Sequence, residues 1–386
     1  MKNIRISIVI VCVAAIFVSF ASVTRAAETQ EIDALIQRAG TSAADLSSSD
    51  REIISEFVSD SIDELVSAQN GSEMIAVRTG ISTRMLSDKN SKYRLAFSDI
   101  LEENLLDAVN YVSSWEAGER KKQIQTNLII LAARLQSPQL VDFAVNMLSQ
   151  DDIVIRYWAV KSLTGDRLVK MLNDPITADK NITDKILTAL NGYIGPNTTA
   201  EVLAVISRFA ADLEAPATND MLLKIVDVRM RDYEDWTVDY EKADAEILAV
   251  LAGEAQNLSG SQKARFLGAF AQLYSYTIQR YILGQDLLDK ENENYLIATM
   301  AEVEQKILPK LLGRPQDSIR KALDRGNLTE LKQEHDRLFG STGRKGLLEY
   351  DNTLDYGTDK AGQKLSGPRT LSPPPVPDLG AESENA

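Results

Sequence analysis

The chain has 386 residues, 44% of them hydrophobic and 6% aromatic, with 56 acidic against 42 basic residues and a formal net charge of −14. That balance repels phosphate backbones and anionic lipid, so no nucleic acid is expected as a partner. One cysteine, Cys12, and one histidine, His335, exclude a disulfide framework, Cys/His zinc sites and two-histidine metal motifs.

Residues 1–26 read as a signal peptide. Lys2 and Arg5 precede an apolar run from Ile6 to Ala21, and Thr24-Arg25-Ala26 places small residues at a cleavage site, with the cut expected between Ala26 and Ala27. The run is short for a retained anchor of about 20 residues, so no stable membrane span is expected after cleavage. Loss of Lys2, Arg5 and Arg25 leaves a net charge of −17 and no cysteine. Such a chain must be held by apolar burial, for which about 310 ordered residues are ample. An exported chain without cysteine points to the periplasm or exterior of a bacterium. Asn-x-Ser/Thr sites at Asn70, Asn181, Asn197, Asn257 and Asn327 leave a eukaryotic secretory route open.

Residues 27–119 read as an N-terminal helical region. Ser49-Asp50-Arg51-Glu52 opens a helix with a capping residue and an early acid. Phe97, Leu101, Leu105, Val109 and Val112 then recur at helical spacing and predict an apolar stripe on one face. Ile124, Leu128, Leu131 and Leu135 form the next stripe, and Ser137-Pro138 is a cap followed by a first-turn proline. Over residues 120–239 helix pairs are expected at 120–135 with 138–149, 152–164 with 166–173, and 182–194 with 198–213. Leu135, Leu163 and Leu190 close the first members at intervals of 28 and 27 residues. The last region, 240–339, carries the stripe Leu296, Met300, Val303, Ile307 and Leu311. No run of alternating apolar and polar residues predicts a sheet.

The unit from Leu148 to Leu163 resembles the first helix of a HEAT repeat: an acidic cap at Asp151-Asp152, then Ile155-Arg156, Ala159 and Leu163 at the motif's places. The neighbouring units match loosely; Asn127 stands where Ile155 would align. The resemblance covers about residues 120–215. It implies stacked antiparallel helix pairs, a HEAT-like α-solenoid; the helical periodicity from Glu28 to Gly340 extends this to an all-α fold continuing into a C-terminal helical bundle. The resemblance also implies a scaffold that holds other proteins.

Chemistry-bearing patterns are sparse. A Ser-His-Asp triad could use only His335, which sits in the charged run 332–337 and reads as a solvated surface residue. Asp232, Glu234, Asp235, Asp239, Glu241, Asp244 and Glu246 form the densest acidic cluster. It lacks the pattern of a calcium loop and reads as a solvated face. No phosphate-cradling glycine loop is present, so no catalytic residue, metal or cofactor is assigned. The aromatic stretch 266–281 reads first as core. Its sharper reading is a partner-binding groove at Phe266, Phe270, Tyr274 and Tyr281. Trp115, Trp158 and Trp236 are expected to be buried.

Beyond Gly340 glycine and proline rise and apolar residues thin out, so residues 340–386 are expected to be a disordered tail. The expectation for function is an exported, non-enzymatic scaffold with a protein partner. A carboxylate-dependent hydrolase of envelope polysaccharide and an apolar small-ligand carrier are the alternatives.

Overall fold

The computed structural model describes residues 29–40, 45–86, 91–341, 344–359 and 361–375. The expected signal peptide and its cleavage site lie outside the described residues. The fold is all-α, about 75% helical. Among the described residues no helix is long and apolar enough to cross a membrane. The chain divides into two compact units between Leu168 and Val169.

The first unit holds α1 (29–40), α2 (Ser48–Ser67), α3 (Gly71–Leu86), α4 (Ser91–Ser113), α5 (Glu119–Leu135), α6 (Val141–Met147) and α7 (Ile153–Leu163). Long helices pack on neighbouring and on alternate helices: α2 on α3 and α4, α3 on α5, α5 on α6 and α7. The expected stripes supply the packing. Phe97, Leu101, Leu105, Val109 and Val112 on α4 are all buried, as are Ile124, Leu128, Leu131 and Leu135 on α5. Each such side chain contributes about 1.5–3 kcal/mol by leaving water. Asn127 is buried among them and is satisfied, accepting from Arg78 Nη1 at 2.9 Å and donating to the Gln123 carbonyl at 2.8 Å.

Side-chain caps set the helix starts. Ser47 and Asp50 form a reciprocal capping box, so α2 begins two residues before the expected Ser49 cap. Asp152 accepts from the N–H groups of Val154 and Ile155 at 2.8 and 3.2 Å and opens α7. Ser137 caps the short 3₁₀ turn Pro138–Leu140, accepting from Gln139 N–H at 3.1 Å.

A helix α8 (Asp166–Asn173) spans the division. The second unit continues with α9 (Lys180–Tyr193), α10 (Ala200–Asp212), α11 (Thr218–Glu234), α12 (Lys242–Asn257), α13 (Gly260–Leu283), α14 (Lys290–Glu302), α15 (Leu308–Leu312), α16 (Ser318–Asp324), α17 (Leu328–Phe339) and α18 (Leu347–Asp351). Here α10 packs on α11 and α12, α11 on α13, α12 on α13 and α14, and α13 on α17. The 24-residue α13 is therefore contacted on several sides.

Between α14 and α15 a π-helical turn, Val303–Ile307, replaces the α pattern. Pro309 has no N–H to donate to the turn before it, which favours such a bulge. The extra residue rotates the apolar face. Leu296, Met300, Val303 and Ile307 are buried as expected, but Leu308 and Leu312 take the interior positions in place of Leu311. The bulge also turns Glu304 inward. Its carboxylate caps α16, accepting from Ile319 and Arg320 N–H at 2.6 and 2.8 Å.

Two two-residue strands, β1 (Gly340–Ser341) and β2 (Arg344–Lys345), pair antiparallel after α17. The described residues of the tail then depart from the expected disorder. Leu348, Tyr356 and Leu371 are buried, and Asp355 N–H donates to the Ala264 carbonyl at 2.9 Å. Composition measures how much apolar surface a segment can bury against itself; this segment is received by α13. Residues 376–386 lie outside the described residues.

Candidate functional site

The four aromatic residues singled out on α13 face the interior. Phe266, Phe270, Tyr274 and Tyr281 are no more than 5% exposed. Phe270 and Tyr274 stack with ring centroids 6.0 Å apart, Phe339 of α17 lies 6.0 Å from Tyr274, and Tyr274 donates its hydroxyl to the Met300 carbonyl at 3.1 Å. They are core, and none forms the rim of a groove. The tail is received by another face of the same helix, at Gly268, Gln272 and Gln279.

Gln272 and Gln279 stand seven residues apart, so they share a face two turns from each other. Their carboxamides converge on one stretch of tail backbone. Gln272 Oε1 accepts from Arg369 N–H at 2.6 Å, and Gln279 Oε1 accepts from Leu371 N–H at 2.7 Å. Both amide groups donate back to the Arg369 carbonyl, from Gln272 Nε2 at 3.4 Å and from Gln279 Nε2 at 3.0 Å. The indole N–H of Trp236 donates to the Ser372 carbonyl at 3.1 Å. The side chain between them, Leu371, is buried. One turn before Gln272, Gly268 lets the chain approach closely: a Cβ there would lie 1.9 Å from the Asp355 carbonyl oxygen.

The magnitudes place this seating near balance. Five backbone-directed bonds at about 0.5–1.5 kcal/mol net each and one buried leucine at about 1.5–3 kcal/mol give roughly 4–10 kcal/mol. Ordering five residues costs about 5–10 kcal/mol. Arg369 adds an ion pair to Glu234 at 3.2 Å, between half-exposed side chains and so of small value. Glu234 also accepts from the Tyr276 hydroxyl at 2.7 Å. Glu234, Asp235, Tyr276, Asp359, Arg369 and Ser372 line an open cleft of about 510 Å³ beside the strap.

Trp236 reaches the tail because its backbone is left-handed, with φ of 59°, and Tyr240 in the same loop has φ of 43°. For bulky residues that conformation costs roughly 1–2 kcal/mol each. A buried ion network holds the loop. Arg229 has no exposed surface; it donates Nε and Nη2 to the two oxygens of Asp244 at 2.8 and 3.0 Å, and Nη2 also to the Asp239 carbonyl at 3.0 Å. Tyr233 donates its hydroxyl to Asp244 at 2.7 Å. Asp232 stands 3.4 Å from Arg229 Nη1; burial lifts its carboxyl to about 6 against the pull of that arginine. Glu241, also without exposed surface, faces Arg280 Nε at 3.8 Å, and burial raises its carboxyl. Arg280 lies over the Trp236 ring, 5.0 Å from its centroid.

The expectation of a solvated acidic face therefore fails at Glu241 and Asp244, which sit in the core opposite arginines. Charge density read along the chain does not reveal that Arg229 and Arg280, supplied by α11 and α13, face these acids. The three tryptophans are half-buried, contrary to their expected burial. Trp115 packs edge-on against Tyr111 and Trp158 against Tyr157.

His335 is likewise no surface residue. Its side chain is 15% exposed, its ring lies 4.9 Å from that of Phe339, and its Nε2 is 2.7 Å from Ser275 Oγ. Nδ1 lies 3.3 Å from Asp336 Oδ1, and burial pulls the imidazole below the ordinary histidine range. Serine, histidine and aspartate are thus joined in a line. Ser275 has no exposed surface for a substrate to reach, and its Oγ also accepts from Gln279 Nε2 at 2.9 Å. With Gln279 donating to Ser275, the serine hydroxyl donates to His335 Nε2, which leaves the imidazole proton on Nδ1 toward Asp336. The line Asp336–His335–Ser275–Gln279 ends on the tail backbone.

Among the described residues no group of three or more His, Cys, Asp or Glu side chains is arranged to hold a metal ion. No protein-family model matches the chain, and no curated protein matches it.

Proposed function

We propose that the protein is an exported, non-enzymatic scaffold whose helix pairs stack in the HEAT-like manner and present a surface to another protein. One observation carries the reading: a face of α13 holds an extended polypeptide through its backbone, using Gln272, Gln279 and Trp236. Main-chain bonding with a pocket for one alternate side chain is a recurring mode of peptide recognition. Packing of alternate helices on one another, α2 on α4, α3 on α5 and α5 on α7 in the first unit and α10 on α12, α11 on α13 and α12 on α14 in the second, supports the stacked-pair reading. The basic, apolar, small-residue sequence of positions 1–26 supports export to a bacterial periplasm or exterior.

The carrier alternative loses its support at Phe270 and Tyr274, where packed rings occupy the space a ligand would need. The hydrolase alternative has only the acid count and the expected export behind it. Glu234, its first candidate, is engaged by Tyr276 and Arg369.

Affinity capture of the full chain after cross-linking in its native envelope tests the reading. Specific, saturable recovery of a partner is the expected result. Recovery no different from that of an unrelated acidic protein would refute it. Release of fragments from envelope glycan by the purified protein, abolished by Glu234→Gln, would establish the hydrolase instead.

A further inference from the structure

We propose that the Gln272–Gln279 face of α13 is a binding site for an extended peptide of a partner protein, and that residues 368–372 of this chain are its resident competitor. The proposal rests on the interaction-protein reading and names the partner's chemistry: a proline-flanked, extended segment carrying Arg-x-Leu.

The occupant seen in the structure defines that chemistry. The carboxamides of Gln272 and Gln279 and the indole of Trp236 address only main-chain N–H and C=O groups of Arg369, Leu371 and Ser372, so any extended segment satisfies them. Selectivity comes from two side chains. Leu371 is enclosed, which asks for an aliphatic residue, and Arg369 meets Glu234, which asks for a cation two residues earlier. Thr370 between them is exposed and unread. Pro368 opens the segment with a fixed φ, and Pro373 after it biases Ser372 toward extended backbone, which lowers the ordering cost of binding. The receiving surface belongs to an acidic chain, favouring a basic ligand.

The tail is suited to be displaced. Its bonds and buried leucine nearly offset its ordering cost, so the site does not depend on this occupant for a large net gain. A linked segment competes at an effective concentration of order millimolar, which sets the threshold an outside peptide must exceed.

The test uses the full chain and a fluorescein-labelled synthetic peptide with the sequence of residues 366–375, followed by anisotropy. Leu371→Asp vacates the groove; a chain ending at Gly367 does the same should that variant fail to fold, and circular dichroism verifies both. The vacated protein should bind the peptide saturably, and the wild type about two- to threefold more weakly, because a seating near balance blocks the groove in about half of the molecules. Adding Gln279→Leu to Leu371→Asp should weaken binding at least tenfold. Glu234→Gln in the vacated protein should weaken the arginine peptide several-fold and leave a peptide with glutamine in that place unaffected. With excess peptide on the wild type, the amides of Arg369 and Leu371 should lose hydrogen-exchange protection while α13 keeps its own.

A folded, vacated protein with no saturable binding up to about 10 mM, ten times the effective concentration of a short tether, would overturn the proposal. So would binding indifferent to Leu371→Asp and Gln279→Leu. If the wild type instead dimerises and Leu371→Asp abolishes dimerisation, the occupant is a second copy's tail and the partner assignment falls. Should cross-linking recover a partner while the peptide fails to bind, this inference falls and the scaffold reading stands.

Discussion

Replacing Arg229 by methionine would leave the Asp244 carboxylate without exposed surface and with a single donor, the Tyr233 hydroxyl at 2.7 Å. The lost contacts are the two-pronged pair to Asp244 and the bond to the Asp239 carbonyl that holds the strained loop. Removing one partner of a buried ion pair costs about 3–5 kcal/mol, because the remaining charge stays desolvated. With a urea dependence of roughly 2 kcal/mol per molar, the unfolding midpoint of the second unit should fall by about 1.5–2.5 M. Trp236 fluorescence in a chain with Trp115 and Trp158 replaced by phenylalanine follows that unit alone. The double variant Arg229→Met/Asp244→Leu should recover most of the loss. About 1–3 kcal/mol would remain for the buried Tyr233 hydroxyl left unmatched. A single variant costing under about 1 kcal/mol, or a double variant as unstable as the single, would refute the buried-pair account.

Three further outcomes are expected. Glu304→Ala removes the acceptor for two α16 N–H groups and should cost about 1–3 kcal/mol, read as a lower urea midpoint; an unchanged midpoint would show that this cap adds nothing. Gly268→Ala drives a Cβ against the Asp355 carbonyl; trypsin cleavage at Lys364 and Arg369 should accelerate at least tenfold, and an unaltered rate would contradict the close approach. His335 is held below its ordinary range by burial, so the folded protein binds fewer protons than the unfolded one in acid. Stability from this group is full above about pH 6.5 and is lost as pH falls through the folded value. His335→Gln should flatten that part of the profile, while Asp232, present in both proteins, cancels from the difference. Parallel profiles would take His335 out of the interior.

The helical layout was legible because burial and helix geometry leave a local signature. Phe97 to Val112 and Ile124 to Leu135 carry their spacing within one element, and Asp152 and Ser137 announce caps through neighbours two or three residues away. The site was not legible, because its parts meet only in space. Gln272 and Gln279 are ordinary polar residues of an apolar helix until a segment some 90 residues later lies across them. Glu241 and Asp244 look solvated until Arg280 and Arg229 are placed opposite. His335 sits in a charged run, yet the one helical face that turns toward Ser275 is the one that decides its surroundings. The π turn at Val303–Ile307 shows a subtler limit: Pro309 was visible as punctuation, but the one-residue rotation it accompanies moved the interior from Leu311 to Leu312.

A pair of glutamines two turns apart gives α13 something that normally belongs to the rim of a β-sheet. Each carboxamide reproduces a peptide group, so a rod whose interior main-chain groups are committed to its own helix can still pair with a strand. Sheet rims offer the same service at the risk of uncontrolled strand addition. Here the pairing is confined to three side chains, the two glutamines and Trp236, and ends where they end, so the molecule can grip one extended segment without templating a second.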